Sequence, residues 1–327
     1  MQSLQLRGAY VAMLRATFSA YRLARFADED RLFQHRAEGD AVVFARDHVA
    51  ANLLIPPAAT AQDRRRIVEL IAAGQRHRHF GSMQSSQALA QSVFGAIAIL
   101  NRLSLLSDIE AEDGSPAFGL RLNESTIEFE KPIRTLGEPR PTSIDVWLDG
   151  DYRVAVECKL SEADFGTCSR PRLSPTDAAY VTQHCDGTYT NQRGRTARCA
   201  LTEIGVRYWD YAAELFGWTT DTDHRPCPLA SSYQLARNIL AACVGEGGAL
   251  SIDRGHALII YDRRNPTMAM GGEGDRQWCT ALAALKAPGL LRRLSWQAFI
   301  AQWPSDIVLD WMKDELGAKY GFRASDA

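Results

Sequence analysis

Residues 143–162, SIDVWLDGDYRVAVECKLSE, constrain the fold more than any other stretch of this chain. Apolar and polar residues alternate on both sides of the DGD segment, which predicts two strands, 143–148 and 152–160, joined by a tight turn. The second strand has an apolar face made of Val154, Val156, Cys158 and Leu160. A strand this apolar is typical of the middle of a sheet.

The other face of this hairpin is charged, because it carries Asp145, Glu157 and Lys159. With the turn centred on a left-handed Gly150, Asp145 lies opposite Ala155, and Glu157 is its diagonal neighbour on the same face. Diagonal neighbours are about 7–8 Å apart at the backbone, so two carboxylates reach one cation. Spacing alone would favour a solvated face, but charges on a central strand favour a site.

Two carboxylates on a rigid sheet suit Mg²⁺ or Mn²⁺, which prefer oxygen ligands. We therefore predict Asp145, Glu157 and the backbone carbonyl of Cys158 as metal ligands. Lys159 adds a cation that stabilises negative charge or positions an attacking water. This set of groups is what metal-assisted hydrolysis of a phosphodiester requires.

The elements around the hairpin predict an α/β fold with a mixed sheet flanked by helices. Apolar residues four apart predict a helix over 83–100, with Ser85 or Ser86 as N-cap. Alternation predicts a strand over 125–133. Further along, the segment SSYQLARNILAACV predicts a helix, and HALIIYD predicts a buried strand.

Asp145, followed after eleven residues by Glu157-Cys158-Lys159, resembles the D…(D/E)-x-K signature of the PD-(D/E)XK nuclease superfamily, the restriction-endonuclease-like fold. The element order over roughly residues 80–265 is similar to that fold. The chain also resembles a bacterial restriction-endonuclease-like group through its SSQAL…FG, ExK and YQLxRN motifs. The resemblance implies that Asp145 and Glu157 hold Mg²⁺ or Mn²⁺ and that Lys159 is the catalytic lysine.

One departure from the family pattern concerns the first helix. Many members carry an acid there, whereas the polar residues available on this helix are Gln84, Gln87 and Gln91. Some exonuclease branches have a glutamine on a later helix that faces the site. The resemblance therefore gives Gln87, Gln234 and Arg237 as site or DNA contacts, although a surface position for Gln234 fits the sequence equally well.

The chain divides into a helical N-terminal region, 1–80, and a nuclease-like core, 81–327, which we expect to form one compact unit. The core contains a loop-rich insertion at 163–228, rich in Cys and Arg, and helical C-terminal additions. Helical spacing of apolar residues predicts helices at 19–37, 60–74, 205–218, 278–303 and 305–320.

The chain has seven cysteines. An odd count without a secretory signal predicts free thiols in a reducing cytoplasm. Four of them fall in the insertion and offer a structural Zn²⁺ or iron–sulfur site: Cys168, Cys185, Cys199 and Cys227. Iron–sulfur exonucleases of the superfamily place their first cysteine before the Asp, whereas all four here follow Lys159. No C-x₂-C pair is present, so unliganded thiols are the favoured interpretation.

A formal net charge of −2 excludes a protein coated in basic residues but not a local basic stripe. The insertion supplies candidate phosphate contacts beside Tyr189 and Asn191, namely Arg170, Arg172, Arg193, Arg195 and Arg198. No apolar run is long enough to span a bilayer, so we expect a cytoplasmic protein without a membrane partner.

These observations predict a metal-dependent nuclease that hydrolyses DNA. Two other interpretations stay open. One is a non-cleaving nucleic-acid-binding or assembly module on the same fold, which the missing helix acid favours. The other is a metal-braced interaction protein in which the four clustered cysteines matter more than the hairpin.

Overall fold

The sheet at the centre of the molecule has five strands in the order β1-β2-β3-β4-β5. The computed structural model describes residues 2–35, 40–119, 122, 125–141 and 143–323. The strands are β1 (Thr126–Pro132), β2 (Ser143–Asp149), β3 (Arg153–Cys158), β4 (Gly255–Tyr261) and β5 (Leu291–Ser295). Strands β1, β2 and β3 pair antiparallel, and β4 and β5 continue the sheet in parallel. This confirms the predicted α/β fold with a mixed sheet.

Helices cover both faces of this sheet. They are α1 (Gln2–Arg25), α2 (Ala61–Glu69), α3 (Ser86–Ile99), α4 (Tyr180–Gln183), α5 (Ala200–Glu203), α6 (Tyr208–Leu215), α7 (Pro228–Cys243), α8 (Glu273–Ala284), α9 (Trp296–Ala301) and α10 (Ile307–Tyr320). The predicted helix at 83–100 is confirmed as α3, and its N-cap is Ser85, whose hydroxyl accepts a hydrogen bond from the Ala88 amide. Among the described helices, none is both long and apolar enough to cross a membrane.

Two apolar cores form, one on each face of the sheet. One contains side chains of α1, α3, α9 and α10, together with the predicted apolar face of β3 and its continuation: Val154, Val156, Cys158 and Leu160. The other contains side chains of α6, α7 and α8 packed against Trp147, Ala155, Ala257 and Ile259. Because both faces are covered, β4 is buried along its whole length, which explains its nearly continuous apolar sequence.

The hairpin turn differs from the prediction by one residue. Trp147, not Asp145, lies opposite Ala155, so the turn is centred one residue beyond Gly150. Gly150 is not in the left-handed region; a side chain there would instead meet the Ser125 hydroxyl at 2.9 Å. The shift moves the pairing by two positions and therefore keeps every side chain on its predicted face.

The predicted helix over 278–303 is wrong in its middle. Helix α8 ends at Ala284, and β5 begins after Pro288 and Gly289, which break the helical pattern. A five-residue strand is too short to give a clear period of its own. The predicted helix over 19–37 is also wrong beyond Arg25, where α1 ends, and residues 36 and 37 lie outside the described part of the chain.

Phe94 packs helix α3 against helix α9 on one face of the sheet. Its ring is fully buried, stacks on Phe299 at 5.7 Å and meets Phe118 edge-on at 5.9 Å. We expect Phe94→Ala to lower the free energy of unfolding by about 3–5 kcal/mol, because it leaves a cavity between packed rings. Denaturant unfolding measures this, with Leu23→Ala on the exposed side of α1 as control. A loss no larger than that of the control would contradict the packing described here.

Candidate active site

Three carboxylates lie side by side on the three antiparallel strands. The pairing of β1 with β2 places Phe129 opposite Val146, so Glu130 stands beside Asp145. The pairing of β2 with β3 continues so that Glu157 faces Asp145 from the other side. The middle of the sheet therefore presents a row of acids on the face opposite the first core.

The backbone of β1 is distorted at the first of these acids. Glu130 has a φ of 48°, which is uncommon for a residue with a side chain, and the ladder is interrupted between Phe129 and Lys131. Two hydrogen bonds hold the carboxylate: Gln87 Nε2 donates to one oxygen at 2.6 Å, and Ser143 Oγ donates to the other at 2.5 Å. Backbone strain of this kind is often found at functional sites.

The Glu157 carboxylate is hydrogen-bonded at both oxygens. Oε1 accepts from Lys159 Nζ at 3.0 Å and from Gln234 Nε2 at 2.7 Å, while Oε2 accepts from Asn238 Nδ2 at 3.0 Å. The Gln234 amide also accepts from Lys159 Nζ at 2.8 Å. A single glutamine thus bridges the acid and the lysine and fixes the position of both.

Helix α7 supplies this support because three polar residues share one of its faces. Gln234, Arg237 and Asn238 are spaced by three and four residues. Arg237 donates to Asn238 Oδ1 at 3.1 and 2.8 Å and lies 3.9 Å from Glu157. Arg237 is only 5% exposed, and its predicted contact with DNA stays a prediction.

The ionisable side chains of the site differ in how readily they take up a proton. Burial raises the pKa of Asp145 well above its usual range, and the neighbouring Glu157 and Glu130 raise it further. Burial acts in the same direction on Glu157, but Lys159 and Arg237 outweigh it, so the pKa of Glu157 is lowered. Burial disfavours the charged lysine, but Glu157 and other nearby acids outweigh it and raise the pKa of Lys159. The pair Glu157–Lys159 is therefore ionic, while Asp145 takes up a proton more readily than an ordinary aspartate.

The donor set fits a divalent cation. Asp145 Oδ2 accepts from the Cys158 amide at 2.8 Å, whereas Oδ1 accepts no hydrogen bond from any described residue. A cation would relieve the repulsion that raises the pKa of Asp145. Within the described ranges, however, no three His, Cys, Asp or Glu side chains are already arranged as a metal site. The Cys158 side chain lies in the core, and the role of its carbonyl stays a prediction.

The acids open onto a cleft of about 940 Å³. Residues from the N-terminal region form its other wall, including Arg7 of α1 and the basic segment His77, Arg78 and His79. Gln87 and Gln234 also line it. Sequence reasoning assigned no role to this basic segment, because its histidines have no recognisable ligand spacing and the run is short.

The arginines predicted for phosphate contact lie outside this cleft. Arg195 is 7% exposed and donates to the His184 carbonyl at 2.8 Å. Arg198 forms an ion pair with Asp223 at 3.0 Å. Glu130 and Asn238 are the site residues that sequence reasoning missed. The only signal for Glu130 was its alternation with apolar neighbours, which Glu128 shares.

Asp145→Asn should stabilise the metal-free protein at neutral pH. The folded-state pKa of Asp145 is raised, so its ionised form costs free energy, and asparagine removes that charge while still accepting from the Cys158 amide. The gain should shrink as the pH falls from the raised pKa of Asp145 towards the ordinary aspartate pKa, and it should vanish below the latter, since Asp145 is then protonated in both states. Thermal unfolding in EDTA across this pH range measures it.

Glu128→Gln is the matched control for this comparison. Glu128 also lies on the sheet but pairs with Lys131 near the surface, where such a pair contributes about 1 kcal/mol or less. An Asp145→Asn variant that is less stable than wild type at neutral pH would contradict the charge repulsion inferred for the row of acids.

The chain was compared with protein-family models, curated proteins and solved structures. A family model described as Restriction Endonuclease associating with ARP matches residues 22–321, a span that includes all five strands and the row of acids. No curated protein matches the chain, and no solved structure does. The match extends beyond the 80–265 of the sequence resemblance into helices at both ends. The chain therefore belongs to the restriction endonuclease family described as associating with ARP.

Proposed function

We propose that this protein is a Mg²⁺- or Mn²⁺-dependent nuclease of the PD-(D/E)XK type that hydrolyses phosphodiester bonds in DNA. The observation that carries the proposal is the row of Glu130, Asp145 and Glu157, with Lys159 bonded to the last of them. Membership of a restriction endonuclease family supports a nuclease-related role.

Glu130 takes the place of the acid that many family members carry on the helix corresponding to α3. Helix α3 contributes Gln87 instead, and the Gln87 amide binds Glu130 at 2.6 Å. The helix thus orients an acid on the adjacent strand and does not supply one itself. We assign Asp145 and Glu157 as the principal metal ligands and Glu130 as the third carboxylate of the same site.

A bound divalent ion would lower the pKa of a coordinated water and offset the charge that grows on the phosphate. In this proposal Lys159 donates a hydrogen bond from Nζ to the attacking water or to a phosphate oxygen. Gln234 holds the ammonium in that position through its 2.8 Å contact. Asn238 and Arg237 keep Glu157 ionised, because both stabilise its negative charge.

The basic wall of the cleft is where we place the DNA backbone. Arg7 and Arg78 face the cleft together with His77 and His79. Arginine contacts to phosphate position a duplex without reading its sequence. This arrangement supports a nucleic acid substrate, with the acids on one wall and phosphate-binding groups on the other.

A non-cleaving binding module on the same fold is the second candidate. Both oxygens of Glu157 are already hydrogen-bonded to protein groups, and no formed metal site exists among the described side chains. In that case the acids and Lys159 are a structural network. Cleavage assays distinguish the two candidates, because a structural network would leave DNA intact whatever metal is present.

Glu157→Gln and Lys159→Met should each reduce cleavage by at least about a hundredfold, since each removes a charge that acts on the reacting groups. Wild type and variants are incubated with linear, circular and single-stranded DNA in Mg²⁺, Mn²⁺ or EDTA. We expect cutting only by the wild type and only with metal, with DNA affinity retained in the variants.

Glu128→Gln serves as control here too, because it removes a carboxylate on β1 that lies two residues from Glu130 and outside the cleft lining. It should cut as the wild type does. If the wild type leaves every substrate intact while it binds DNA as well as both variants do, the non-cleaving module replaces the nuclease.

A further inference from the structure

Four cysteines that are far apart in the sequence meet at one cavity. The cavity lies between the cysteine-rich segment, residues 163–228, and the first turn of α7. It is lined by Cys168, Cys185, Cys199 and Cys227. All four thiols are free, and the other lining residues include the apolar side chains of Leu201 and Leu229.

One of these sulfur atoms, that of Cys185, accepts a hydrogen bond from the backbone amide two residues later. The backbone amides of Arg170 and Leu229 act to lower the pKa of Cys168 and of Cys227, against the larger effect of burial. The Gly187 amide lies 3.4 Å from its sulfur, and its φ of 89° shows why glycine occupies that turn. An amide directed at sulfur stabilises the thiolate, which is the form that binds metals.

The thiols are nevertheless held in their neutral form. Burial raises the pKa of Cys168 to about 11 and that of Cys227 to about 12, and the nearby cysteines add to both shifts. Four thiolates around one small space repel one another. A cation among them converts that repulsion into attraction and draws the protons off.

We propose that Cys168, Cys185, Cys199 and Cys227 bind one Zn²⁺ ion as four thiolates. The shared cavity of about 20 Å³ holds about one water molecule, which suits a single ion and not a cubane cluster. Four protein ligands leave no open position, so the site is structural. Binding releases one proton from each thiol to solvent and leaves a net charge of two minus on the complex.

Two nearby arginines offset that negative charge. Arg170 and Arg195 each lower the pKa of a cysteine at the cavity. Arg195 is buried, and its Nε has no hydrogen-bond partner among the described residues. Two of the five arginines that the sequence suggested for phosphate contact therefore serve the anionic cysteine site in this inference.

The sulfur atoms must still move towards the centre of the cavity. No three candidate ligands among the described side chains are already arranged as a metal site, and zinc–sulfur bonds of about 2.3 Å require a closer set. We expect rotation of the cysteine side chains about Cα–Cβ to bring the sulfur atoms closer together. Zinc binding should therefore tighten the segment and not refold it.

The location explains what the ion would do for the protein. Cys227 immediately precedes α7, and the Cys168 amide donates to Ala230 in the first turn of that helix at 3.0 Å. The segment between β3 and α7 has only three short helices of its own. A metal at this point fixes the start of the helix that carries Gln234 and Asn238, and this role does not depend on catalysis.

The test is the zinc content of the full-length protein purified under reducing conditions. Elemental analysis of the wild type should give close to one zinc per chain. Cys279→Ser is the matched control, because this exposed cysteine lies on α8 away from the cavity, and it should retain the zinc. The double variant Cys199→Ser/Cys227→Ser should lose most of it.

A second measurement uses the folded wild type, so that the result does not depend on the stability of the double variant. A thiol-blocking reagent should release the zinc to a chromogenic chelator, whereas the chelator alone should release little. The proposal is overturned if the wild type binds no zinc even when ZnCl₂ is added, or if the double variant keeps a full complement. Iron with acid-labile sulfide in place of zinc would also overturn it.

Discussion

The repulsion among three neighbouring carboxylates is the constraint around which this site is arranged. Glu130, Asp145 and Glu157 lie abreast in the middle of a sheet, where water can screen them only from the cleft side. The protein offsets one of the three charges directly, through the ion pair with Lys159. The pKa of Asp145 is raised because the positive groups nearby do not offset the burial of this carboxylate and the charges of its two neighbours.

Both layers of helices contribute to holding this arrangement. Helix α3 reaches across with Gln87 to orient Glu130, and α7 approaches from the other layer with Gln234 and Asn238 to orient Glu157. The strands fix the spacing of the acids, and the helices fix their rotamers. Such a division places functional side chains on rigid elements with support behind them.

The sequence alone predicted those features of the site that follow from local periodicity. Alternation in the hairpin placed Asp145, Glu157 and Lys159 on one face, and that conclusion survived an error of one residue in the turn. The burial of Val154 and Val156 on the opposite face follows from the same period. The catalytic roles of the charged residues remain proposals.

What sequence reasoning missed depends on contacts between distant segments. Glu130 looks like any outward-facing charge until the positive φ and the pairing with β2 are known. The convergence of four cysteines from separate loops has no period that a sequence reveals. The fifth strand was missed because its five residues are too few to give a clear period.

The central claim is that the row of acids binds one divalent ion, and Mn²⁺ binding followed by electron paramagnetic resonance tests it most directly. We predict that the wild type binds Mn²⁺ at one site and that Glu130→Gln binds it about 10–100-fold more weakly, with Glu128→Gln unchanged. Equal affinity in the Glu130→Gln variant and the wild type, or no binding to the wild type, would contradict the account.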